Sequence, residues 1–173
     1  MAHLPTIQKQ TGLNMHKKTF SALLMIIFSI SLTGCMNLGH LNYKQARMLK
    51  KEGFVLNNEG WTLALPERLL FNFDDYRIQN HQKEKLTELS HQLQKYDLEK
   101  LKFTGHTDNI GQSTYNYQLS QKRAQSVADV FFAEGFKTQN VQIIGRGSDQ
   151  PIVSNDSEEN RAKNRRVNII IIP

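Results

Sequence analysis

The 173-residue chain has a single cysteine, Cys35, so no internal disulfide can form. It has no H-E-x-x-H pair and no G-x-S-x-G elbow, and its one cysteine sits at a processing signal, which leaves no free thiol nucleophile. Gly145, Arg146 and Gly147 lack the third glycine, the helix start and the later acid of a dinucleotide-binding turn. The apolar run at 20–32 is too short to span a bilayer. Internal repeats and low-complexity segments are absent. Hydrophobic residues make up 39% and charged residues 22%, so the composition is not that of a disordered chain. The expectation is one globular domain with a tail, no catalytic residues, no cofactor and no metal.

Residues 15–35, MHKKTFSALLMIIFSISLTGC, carry a processing signal. Lys17 and Lys18 form a basic start, an apolar stretch follows, and Leu32, Thr33 and Gly34 precede Cys35 in the pattern cut before a cysteine that is then lipid-modified. Residues 1–34 are expected to be removed, with the true start at Met15. Met36 stands where inner-membrane retention signals place Asp, which favours the outer membrane. Removal takes away Lys9, Lys17 and Lys18 and no acid, so the net charge falls from +6 to +3. The basic balance then gives no argument for nucleic acid.

Hydrophobic spacing predicts a helix over 43–53, with Ala46 and Leu49 on one side and Gly53 as its stop. Trp61, Leu63 and Leu65 alternate as in a strand, and Leu69, Phe71 and Phe73 do the same. Leu86, Leu89, Leu93 and Tyr96 mark a helix, 100–104 a strand, 113–135 a long helix and 141–145 a strand. Residues 155–164 read as a polar loop with a short helix. The apolar run 167–172 reads as a strand covered on both faces. The order β-α-β-α-β-β predicts an α+β fold, a mixed sheet with helices on one face.

The chain is organised around 104–123, TGHTDNIGQSTYNYQLSQKR. Asp108 lies in a polar turn after a strand. Asn116, Ser120 and Arg123 share one helix face. A carboxylate accepts hydrogen bonds from an ammonium group, and a guanidinium fork binds a carboxylate. Together they suit a ligand with a free amine and a free carboxylate on one carbon.

TGHTDNIG, LSQKRAQSV, GRGSDQPIVSN and NRRV, in this order and spacing, are similar to the OmpA-like peptidoglycan-binding domain. The resemblance implies a domain over 66–173, preceded by a lipidated tether with a short helix and strand over 35–65. It implies meso-diaminopimelate of the peptide stem as ligand, with Asp108 and Arg123 as its ligand residues. It places the first sheet strand at 69–78, puts Phe73 and Asp74 in a turn beside the ligand, and turns Arg165 toward the pocket, with Arg166 solvated. Asn109 and Thr107 are expected to shape the loop and add hydrogen bonds, Asn109 as a ligand residue, and Leu119 is either core or the apolar wall of the pocket. His106 reads as a structural turn residue, since a lone H-x-D pair falls short of a metal site. Asp74 and Asp108 would be the pair for glycan cleavage, but the family they resemble binds without cutting. Gly53, Phe54, Trp61 and LLFNFDDYRI also resemble the YfiB-type outer-membrane lipoproteins. That resemblance implies a periplasmic YfiR-like repressor of a diguanylate cyclase as partner, against the alternative of a plain tether between outer membrane and wall.

Overall fold

The computed structural model describes residues 40–72 and 74–172. The signal segment, the anchor residue Cys35 and Phe73 lie outside the described residues. Leu38–Pro173 forms one compact unit, in which the elements run α1 (Tyr43–Lys51), β1 (Val55–Asn57), β2 (Gly60–Pro66), α2 (Glu67–Leu70), α3 (Asn80–Lys95), β3 (Leu101–His106), α4 (Ser113–Ala133), a 3-10 turn (Thr138–Asn140), β4 (Val141–Gly145), α5 (Glu158–Asn164) and β5 (Arg166–Ile171).

The strands form one sheet in the order β1-β2-β5-β3-β4. All neighbours are antiparallel except β3 and β4, which run parallel and are joined through α4. The expected mixed sheet is present. Its central strand, β5, is buried along its whole length. Alternation sends Trp61, Val167, Ile169, Ile171, Leu101 and Phe103 into the core with Leu86, Leu93, Val127 and Phe131 of the helices. Phe131 packs edge-on against Phe103 at 5.1 Å and Phe136 at 5.2 Å between ring centroids.

The long helix sits unusually close to the sheet because of a glycine pair. Gly105 and Gly145 are partners across β3 and β4. A Cβ on Gly105 would lie 2.0 Å from the Ser120 carbonyl oxygen, and one on Gly145 would lie 2.7 Å from the Gln121 nitrogen. The Gln121 side-chain oxygen also accepts the Gly145 N–H. Two bare positions therefore seat the helix that carries Asn116, Ser120 and Arg123.

Two expectations about the amino-terminal part need correction. The segment 69–78 is not a sheet strand. Pro66 has no N–H to continue the ladder, and its fixed φ of −59° opens the turn α2. Leu70 and Phe71 are then buried in succession while Leu69 is half exposed, so the apparent alternation is lost; only a lone Phe71–Ile78 bridge remains. The strand read as part of the tether, β2, is instead an interior strand paired with β5 from Trp61–Ile171 to Pro66–Arg166. Helix α1 belongs to the same unit. Asn42 and Gln45 cap it reciprocally at 3.0 Å each way, and Leu49, Phe54 and Trp61 lie in the core.

Candidate functional site

Asp108 follows the last residues of β3 and is 8% exposed. Its Oδ1 accepts the Ile110 N–H at 3.0 Å, which closes an Asx turn. Its Oδ2 accepts from Arg165 Nη1 at 2.6 Å. The residue is thus both a turn former and a charge partner. Asn116 holds the loop from the helix side, donating to the Ile110 carbonyl at 2.8 Å. Ser120 receives the Gly147 N–H at 2.9 Å, which ties the exit of β4 to the same helix. The shared face predicted for Asn116, Ser120 and Arg123 is buried in all three.

Arg123 is 2% exposed and is not a free fork. Its Nε donates to the Asp75 carbonyl at 3.0 Å, its Nη2 pairs with Glu67, and its guanidinium lies 5.3 Å from the Phe71 ring centroid. Arg165 is the more open cation. It reaches Glu67 Oε2 at 2.7 Å through Nε, Asp108 through Nη1 and Glu158 Oε1 at 2.7 Å through Nη2. Burial alone would lower its pKa; the bonds to Asp108 and Glu158 and the charge of Glu67 outweigh burial and raise it.

These groups line one cleft of about 650 Å³. Asp74, Asp108, Leu119, Arg123 and Arg165 line it, as does Thr107. Leu119 is half-buried there, which makes it wall rather than core. Asn109 is exposed and is not among the lining residues, because the Asx turn directs it outward from the loop. Asp74 adopts φ +53° and accepts the Tyr115 hydroxyl at 2.5 Å; that bond raises the Tyr115 pKa. Sequence reasoning missed Glu67, Tyr115 and Glu158. Glu67 could have been found from Pro66, which marks a helix start and so a residue turned out of the sheet.

Arg166 is not solvated, as the sequence reading has it. It is 6% exposed, on the opposite sheet face from the helices by strand alternation, and donates to the carbonyls of Asn164 at 3.0 Å and Gln150 at 3.1 Å. Burial lowers its pKa to about 10, against the opposing charge of Glu59. Its cross-strand partner His106 is 3% exposed, with neither ring nitrogen bonded. Among the described residues no group of three acidic, histidine or cysteine side chains could hold a metal.

Burial, with Arg166 and Arg146 nearby, lowers the His106 pKa to about 3. Between pH 6.5 and 3 the unfolded chain binds a proton that the folded chain refuses. Stability contributed by this residue is therefore complete above pH 6.5 and drains as pH falls, by up to about 1.4 kcal/mol per pH unit. His106→Gln should flatten this limb in denaturant titrations at pH 7, 5.5 and 4. A parallel fall in both proteins would show that carboxylates alone set it.

A family model described as the OmpA family matches residues 70–165, more than half of the chain. The chain belongs to the OmpA family. The outer-membrane lipoprotein YfiB of Pseudomonas aeruginosa is 33% identical over 160 residues, covering 91% of this chain and 95% of that protein. A lipoprotein YfiB of Escherichia coli K12 is 33% identical over 149 residues, covering 85% and 93%. Among solved structures, the peptidoglycan-associated lipoprotein of Burkholderia pseudomallei superposes with a TM-score of 0.55 at 26% identity, covering 63% of this chain and 89% of that one. The family match covers the cleft residues from Phe71 to Arg165 and leaves Glu67 outside it.

Proposed function

We propose that this OmpA-family protein is a lipid-anchored protein of the outer membrane whose periplasmic domain binds peptidoglycan non-covalently, through the free amino-carboxylate end of meso-diaminopimelate. One observation carries the reading: carboxylates and guanidiniums line the same cleft. An ammonium and a carboxylate on one carbon each meet an opposite charge there. Asp108 takes the ammonium. Arg123 and Arg165 take the ligand's carboxylate, Arg165 from the more open side. Two or more acyl chains on Cys35 make a stable anchor where one would be marginal.

The likeness to the YfiB lipoproteins extends beyond the wall-binding domain, over 91% of the chain, and so takes in α1 and the β1–β2 hairpin. That extent favours a regulator that sequesters a periplasmic repressor of a diguanylate cyclase over a plain tether. The full-length chain should co-sediment with purified sacculi that carry diaminopimelate, release no soluble fragments, and bind lysine-type sacculi less well. Released fragments would make it an enzyme. Expression in cells should raise cyclic diguanylate; unchanged levels with wall binding intact would leave the tether.

A further inference from the structure

Three arginines line the cleft: Arg68 is exposed at its edge, while one internal side chain holds the two more buried guanidiniums, Arg123 and Arg165. Glu67 places Oε1 on Arg123 and Oε2 on Arg165, the latter at 2.7 Å. Its side chain is 14% exposed and Arg123's is 3% exposed, so this is a nearly dry contact at the floor of the cleft. We propose that Glu67 is a resident competitor: it occupies the position of the ligand's carboxylate, and binding is an exchange of one carboxylate for another. The inference rests on the amino-carboxylate reading of the ligand and names the residue that tunes affinity for it.

Three observations define how the exchange works. The Glu67 backbone is pinned, its N–H donating to the Arg165 carbonyl at 3.0 Å and its carbonyl receiving the Phe71 N–H at 2.9 Å. The release is therefore a side-chain swing that leaves β2 and α2 in place. Arg123 keeps its Nε on the Asp75 carbonyl at 3.0 Å, so it stays aimed while its partner changes. Arg165 keeps Asp108 and Glu158, so the exchange unpairs one of its three bonds. An unmoved Glu67 beside a bound carboxylate would put two like charges on shared donors, which lowers affinity. The arrangement keeps the buried Arg123 and the partly buried Arg165 paired when no ligand is present, and it discriminates against anions too weak to displace an internal carboxylate.

The test is titration calorimetry of the full-length chain in detergent, with a disaccharide tripeptide ending in meso-diaminopimelate and the same compound amidated at the carboxylate that shares its carbon with the free amine. Glu67→Gln removes the competing charge and keeps the shape. It should bind the free acid about tenfold more tightly than wild type, equivalent to about 1.4 kcal/mol, and bind the amide no better than wild type. Glu67→Asp, too short to bridge both guanidiniums, should fall between them, and serves if Glu67→Gln folds poorly. Equal or weaker binding of the acid by both variants would overturn the inference and make Glu67 a wall or an ammonium ligand. A wild type that binds neither compound, or an Asp108→Asn variant that binds like wild type, would overturn the ligand reading and this inference with it.

Discussion

Asp108→Asn should lose most sacculus binding, about 30-fold or more in affinity, with a smaller loss of stability than Asp108→Ala. The carboxamide retains an oxygen where Oδ1 now accepts the Ile110 N–H at 3.0 Å, so the turn survives. What goes is the negative charge, which now pairs with Arg165 Nη1 at 2.6 Å and which on the proposed reading meets the ligand's ammonium. Leaving that ammonium desolvated and unpaired costs roughly 2–5 kcal/mol, which corresponds to the stated loss. Asp108→Ala should lose as much binding and about 1 kcal/mol more stability than Asp108→Asn, for the missing turn bond. The pair separates the two roles of the residue: equal binding losses with unequal melting support the charge as the ligand contact. Wild-type co-sedimentation by both variants would remove Asp108 from the site. Arg123→Ala is a poorer probe. Its guanidinium is buried against Phe71, bonded to the Asp75 carbonyl and paired with Glu67, so its removal disturbs the fold as well as the cleft.

Gly105→Ala should be the most damaging single methyl in the domain. The added carbon would sit 2.0 Å from the Ser120 carbonyl oxygen and 2.7 Å from its carbonyl carbon, both backbone atoms of α4. Backbone cannot rotate aside as a side chain does, so the whole helix must lift. Such overpacking costs roughly 3 kcal/mol or more, visible as a large drop in the denaturation midpoint. Because α4 carries Asn116 and Arg123, ligand binding should weaken in the molecules that remain folded. Gly147→Ala is the contrast: φ is +51° there and the nearest atom is at 3.2 Å, so the loss should be smaller and local. Equal losses would mean that the close approach of helix to sheet is not the constraint.

The parts of this molecule that follow from periodicity were legible in the sequence. Leu86, Leu89 and Leu93 on α3, the buried face of α4, and the apolar run of β5 all lie where spacing places them. Motif spacing likewise brought Asp108, Arg123 and Arg165 to one cleft. Two things were not legible. Leu69, Phe71 and Phe73 alternate as a strand does, yet Pro66 had already ended the ladder, a single residue overriding a pattern several residues long. The pairing inside the cleft was hidden for a different reason. Glu67 and Arg123 are 56 residues apart, and no local rule connects them; only the β2–β5 register, which sets Pro66 opposite Arg166, brings Glu67 beside Arg165.

The position of β5 has a bearing on how the chain acquires its shape. β2 and β3 are not paired with each other; in the sheet each is hydrogen-bonded to β5, which lies between them. Until that strand is in place, the β1–β2 hairpin and the β3–β4 pair are separate fragments with open edges. The bonds that unite them link β2 to a segment roughly a hundred residues further on, a long loop to close. Closure therefore waits on the last strand. Arg165, the residue just ahead of it, arrives in the same step, so the cleft cannot be competent before the sheet is whole. A partly made or partly exported chain lacks a complete cleft, and the unpaired edges of β2 and β3 are open to mispairing in that interval.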